Sequence, residues 1–151
     1  MLESTRQSLR DSLWLYKEDK KMLATYREAL LYPYKEFDDN IGGGRTNLMA
    51  SPTESIALKL VEPKTPVALE EIRRTVSVID FLLDACKKED GSELSNALNK
   101  DHYDVIKSKY IDGYRGKKNS IVSYEICLSE STVKRRDKEF LKIMALALGK
   151  R

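Results

Sequence analysis

Apolar residues along this chain fall at helical spacing in each segment that carries them. In the first segment Leu9, Leu13, Tyr16, Leu23 and Leu30 keep a heptad-like row, Lys20 and Arg27 fill two further places in it, and Met22 and Tyr26 widen the face. The pattern predicts one long helix from Ser4 to about Leu31, with Ser4 as N-cap and Pro33 closing it. A dimerising coil is the sharper reading of the same row, and the two polar seam positions count against it. A second stripe, Leu69, Ile72, Val76, Ile79 and Leu83, predicts a helix opened by Thr65-Pro66 and ended near Lys87-Lys88. Glu70 and Glu71 suit the positive end of its dipole. No segment alternates with period two for long enough to form a strand, and no internal repeat is visible. The expected fold class is all-α.

Between these helices, residues 35–66 form a glycine- and proline-rich linker. It contains Asp39-Asn40-Ile41-Gly42-Gly43-Gly44-Arg45, then Ser51-Pro52, then Pro63 and Pro66. Three consecutive glycines cost too much backbone entropy to sit inside a helix or strand. Ser51-Pro52 can open a short helix, Ser51 to about Leu60. The glycines could cradle a phosphate, but the Lys-Ser/Thr of a P-loop and the spaced glycines of a dinucleotide fold are missing. For Arg45 two readings stay open: a hinge that lets it reach a phosphate or an acidic partner surface, or a tight turn that docks the first helix.

From Leu98 onward the pattern changes to short helices. Asn99 can cap a helix carrying Tyr103, Ile106 and Tyr110, stopped by Asp112-Gly113, and Tyr114 to Ser120 is a loop in which Lys117 and Lys118 are candidate phosphate or partner contacts. A short helix over about Ser120 to Cys127 follows, then Ser129 as the cap of a third helix running through Phe140, Leu141 and Met144 to Leu148-Gly149. Val122, Ile126, Leu128 and Val133 occupy the four buried places of a helix-turn-helix, and small Ser123 sits where its two helices approach. Cys127 stands in the turn where glycine is common. Past the cap, Glu130, Ser131, Lys134, Arg135 and Lys138 face outward, as side chains reaching base edges and phosphates from a major groove would. Ser129 and Thr132 suit phosphate contacts at the helix start. Arg136 falls where such motifs bury an aliphatic residue and is expected to snorkel toward a phosphate.

The charge distribution supports that location. Residues 100–151 hold 13 Lys+Arg against 7 Asp+Glu, whereas residues 1–99 hold 14 against 17, so the basic excess lies in the last third, where a phosphate-binding surface belongs. The chain therefore divides, on sequence, into a helical assembly region over 1–97 and a DNA-binding unit over 98–151. Cys86 and Cys127 lack partners at metal-ligand spacing and read as small buried hydrophobes, and the one histidine, His102, reads as a first-turn surface residue. No metal site, cofactor or acid–base constellation is visible, so an enzyme is not expected. No apolar run approaches the roughly 20 residues of a membrane span, and the amino terminus lacks a signal-like pattern. A cytoplasmic protein is expected.

Leu98-Asn99 through Tyr110-Ile111-Asp112-Gly113, with Ile126-Cys127-Leu128-Ser129-Glu130-Ser131-Thr132-Val133-Lys134-Arg135-Arg136, resembles the last DNA-binding region of bacterial sigma factors. With Tyr16-Lys17-Glu18, Asp39 to Arg45 and Ser51-Pro52-Thr53 added, the chain is similar to phage regulators of the RinA and ArpU type. The resemblance implies a transcriptional activator of phage late genes in a Gram-positive host, binding double-stranded DNA and acting with RNA polymerase; apart from it, the coil reading of the first helix would make the chain a homodimer. It carries the DNA face onto Ser129, Glu130, Ser131, Thr132, Lys134, Arg135 and Lys138. Two other readings compete: the small DNA-recognising subunit of a packaging terminase, and a helical protein-interaction adaptor whose partner surface is the first helix.

Overall fold

A computed structural model describes residues 2–31, 67–88 and 97–150. Among them every regular element is helical: α1 (Glu3–Leu31), α2 (Val67–Ala85), α3 (Lys100–Ile106), a π-helical turn over Lys107–Ile111, α4 (Asn119–Glu125) and α5 (Glu130–Ala147). The 35–66 linker, the short helix expected over 51–60 and Arg45 lie outside the described residues. No helix among the described residues is long and apolar enough to cross a membrane.

The apolar row of α1 does what its spacing demands, burying Leu9, Leu13 and Tyr16 with Leu23 partly covered. The helix opens at Glu3, one residue before the expected cap, because the Arg6 amide donates to Leu2 O (3.1 Å) and Ser4 is already inside the first turn. Lys20, the first polar intruder in the row, is met by α2. Its Nζ donates to Asp80 Oδ1 at 2.7 Å and to Tyr16 Oη at 3.1 Å, and the Tyr16 hydroxyl also donates to Asp80. A charge that would weaken a coiled-coil seam thus becomes an inter-helix contact within one chain. On α2, Val76, Ile79, Leu82 and Leu83 turn inward, one residue more than the predicted stripe supplies at its carboxyl end.

Asn99 caps α3 as expected, but with a partner that contradicts the surface placement of His102. The Asn99 side chain accepts from the His102 amide, the Asn99 amide donates to His102 Nδ1 (3.1 Å), and the imidazole is fully buried. A reciprocal capping box satisfies two orphan amides at once. Beyond α3 the winding loosens into the π turn, closed by Asp112 N to Lys107 O (2.8 Å). Gly113 follows because a Cβ there would stand 2.2 Å from Lys109 O. α5 ends where Lys150 N donates to Ala145 O and Gly149 N to Leu146 O, with Gly149 at φ +69°, the left-handed stop that glycine permits.

Among the described residues two buried clusters result. The larger joins α1, α2, Leu98, the α3–π segment (Ile106, Tyr110) and the carboxyl half of α5 (Phe140, Leu141, Met144, Ala145, Leu148). It runs across the 97/98 position without interruption. The smaller consists of Val105, Val122 and Val133, with Ile126 and Leu128 against it. α5 contributes to both.

Candidate nucleic-acid interface

The turn between α4 and α5 sets the direction of α5. Cys127 adopts φ +55°, the left-handed conformation that an L side chain takes at a cost of roughly 1–2 kcal/mol and glycine takes freely. It is exposed, contrary to the expectation of burial, whereas Cys86 is buried and its thiol is pushed up to about 11 by loss of solvent. Leu128 N then donates to Ser123 O (3.1 Å), and the Ser123 hydroxyl donates to Leu128 O. Small Ser123 therefore serves as a clasp between α4 and the turn. The four positions expected to be buried, Val122, Ile126, Leu128 and Val133, do pack into one cluster, and α3 closes it with Val105.

Ser129 has extended backbone (ψ 148°) and its Oγ accepts from Thr132 N at 3.2 Å, so it caps α5 as the sequence predicts. The hydroxyls of Ser131 and Thr132 lie 2.9 and 2.8 Å from the same Oγ. From this cap, Val133, Asp137, Phe140, Leu141 and Met144 turn inward. Ser131, Lys134, Arg135 and Lys138, spaced i, i+3, i+4 and i+7, form the opposite, exposed face. Arg135 and Lys138 have no ion-pair partner among the described residues. Lys134 pairs with Glu130 at 2.8 Å across one turn, a solvent-exposed contact of small energy.

Two of the expected contact residues are held inside the fold instead. Arg136 bridges Asp101 (3.5 Å) and Glu139 (3.1 Å) with a side chain 20% exposed, tying α5 to α3 rather than reaching outward. Glu139 also lies 3.1 Å from His102 Nε2. Burial pushes its carboxyl up, but hydrogen bonds from Arg136 and His102 outweigh that and hold it below the usual range. His102 itself is lowered, first by burial and then by the Arg136 charge, which favours the neutral ring. Lys117 is likewise buried: its ammonium pairs with Glu125 and donates to Ser108 O at 2.9 Å, bracing the π turn against α4. Lys118, at the N-cap position of α4, remains exposed.

A feature without a local sequence signal lies behind this face. Asp137, buried in α5, accepts from Tyr110 Oη (2.8 Å) and Lys109 Nζ (3.0 Å), with the Arg10 guanidinium 3.9 Å away. Burial and then the Asp137 charge raise the Tyr110 hydroxyl far above its ordinary pKa, which keeps it a donor. Trp14 packs edge-on to the Tyr110 ring at 5.1 Å between centroids. Together these contacts join α1, the π turn and α5 beside an open cleft of about 540 Å³. Among the described residues, no three His, Cys, Asp or Glu side chains gather where they could hold a metal ion.

No protein-family model matches this chain, and neither a curated protein nor a solved structure does.

Proposed function

We propose that the chain is a sequence-specific DNA-binding transcription regulator in which α4, its turn and α5 act as a helix-turn-helix. On this reading α5 enters the major groove and α4 lies across it. The observation that carries it is the outer face of α5. Ser131, Lys134, Arg135 and Lys138 make no contact with the fold's core, yet stand on a helix whose start is capped, whose entry turn is clasped and whose inner face is locked by Val133 and Phe140. A rigid helix presenting Arg and Lys at i, i+1 and i+4 offers forked donors for guanine edges and point charges for phosphates. Activation of phage late genes together with host RNA polymerase is the role that the resemblance to the RinA and ArpU type implies, and we adopt it as the working biological assignment.

Selection from random oligonucleotides at defined salt would identify the site. Against the selected duplex, the Lys134→Ala/Arg135→Ala variant should lose binding by at least about thirtyfold, at roughly 1–3 kcal/mol per lost contact, while its helical circular dichroism is kept. Binding equal to that of the parent would refute the assignment of α5 as the reading helix.

A further inference from the structure

The open cleft beside α5 is built from both ends of the chain. Gln7, Arg10 and Trp14 of α1 form one wall, Lys118 and Ser120 at the start of α4 the other, and Glu130 at the start of α5 closes the rim. We propose that this cleft seats a backbone phosphate of the DNA duplex, so that α1, outside the helix-turn-helix, is part of the DNA-binding surface. The inference rests on the reading of α5 as the groove-entering helix.

Position is the first argument. The cleft adjoins the first turns of α4 and α5 together, which places it beside the end of α5 that enters the groove, where a flanking phosphate strand passes. Charge is the second. Of the four cations lining it, Lys109 is matched by Asp137 and Lys117 by Glu125, and the rim carboxylate of Glu130 is matched by Lys134. That leaves Lys118 as the unpaired cation of the lining and Arg10 as one paired only at long range. Lys118 has no ion-pair partner among the described residues, and the contacts of Arg10 to Glu3 (3.8 Å) and Asp137 (3.9 Å) are longer than hydrogen bonds. Its guanidinium therefore has donors to offer an added acceptor, held in place from behind by the Asp137 carboxylate. Asn119, in the same lining, carries a buried amide oxygen without a partner, which a phosphate-bound water would satisfy.

The test uses the full-length chain and fluorescence anisotropy with a labelled random-sequence duplex. Phosphate contacts act on any sequence, and each one lost makes the fall in affinity between roughly 50 and 200 mM salt shallower by about threefold. Lys118→Ala should show that shallower slope. Gln7 is exposed and one turn from Arg10, so Gln7→Glu should neutralise the guanidinium and weaken binding several-fold, while Gln7→Lys should strengthen it. Both substitutions keep a good helix former on the surface, and circular dichroism verifies that the fold is retained. If neither Gln7 variant changes affinity while Lys134→Ala/Arg135→Ala abolishes it, α1 stands outside the interface and the cleft assignment is overturned with the DNA reading intact. If the double variant also binds like the parent, the α5 reading fails and the cleft falls with it.

Discussion

The two buried clusters differ in how many elements guarantee them. The larger is shared by α1, α2, the α3–π segment and α5, with aromatic and long aliphatic side chains that include fully buried Phe140, Leu9 and Ile79. The smaller rests on three valines from α3, α4 and α5, with Ile126 and Leu128 only partly covered. Because burial stabilises in proportion to apolar area, α4 and its turn are held by far less than α5 is. The firmly packed part of the molecule therefore carries the outward basic face, while α4 and the turn that lead into it are thinly anchored. The polar clasp of Ser123 and Leu128 and the Lys117–Glu125 pair supply what the three valines lack.

Three experiments would break or sharpen this contrast. The largest effect is expected from Phe140→Ala, which opens a cavity in the shared cluster. A loss of about 3–5 kcal/mol should lower the melting temperature and unfold α1, α2 and α5 in one transition, seen by circular dichroism and near-ultraviolet signals together. Separate transitions for α1–α2 and α5 would show that the cluster is not shared as described. A smaller loss, about 2 kcal/mol, is expected from Val122→Ala. Here amide exchange should accelerate in α4 and the turn while α1 and α2 keep their protection, and uniform acceleration would contradict the division into two clusters.

The smallest effect concerns pH. The ring of His102 is neutral in the fold because its pKa is lowered by burial and Arg136, whereas in the unfolded chain it titrates near the ordinary value of about 6.5. As pH falls below that value the unfolded state takes up a proton that the folded state resists, so the stability it confers is complete above about 6.5 and declines toward the folded pKa. Denaturation midpoints measured across that window should fall with acidification, and His102→Asn should flatten the decline. A midpoint independent of pH there would mean that the ring is not neutral in the fold.

Much of this architecture was legible in the residues because it is set locally. The row Leu9, Leu13, Tyr16, the caps Asn99 and Ser129, and the four buried positions Val122, Ile126, Leu128 and Val133 all follow from spacing and from amide accounting at helix ends. What escaped depends on partners distant along the chain. Arg136 looked outward until Asp101 was brought beside it, and Lys117 looked free until the π turn placed Ser108 within reach. His102 looked exposed because its second partner, Glu139, is 37 residues away. The junction of Arg10, Lys109, Tyr110 and Asp137 has no local signature at all, since each residue alone reads as an ordinary surface charge or core aromatic. Cys127 was placed correctly in the turn, yet its side chain faces solvent because the left-handed backbone swings it away from the valine cluster.

One consequence of α5 belonging to both clusters concerns portability. A fragment beginning at Leu98 would retain the valine cluster and the whole basic face, but would strip Phe140, Leu141, Met144 and Leu148 of the α1 and α2 surfaces that now cover them. Transplanted onto another scaffold, α5 would arrive with a greasy flank seeking a new neighbour. Its orientation would then be set by whichever surface covered that flank.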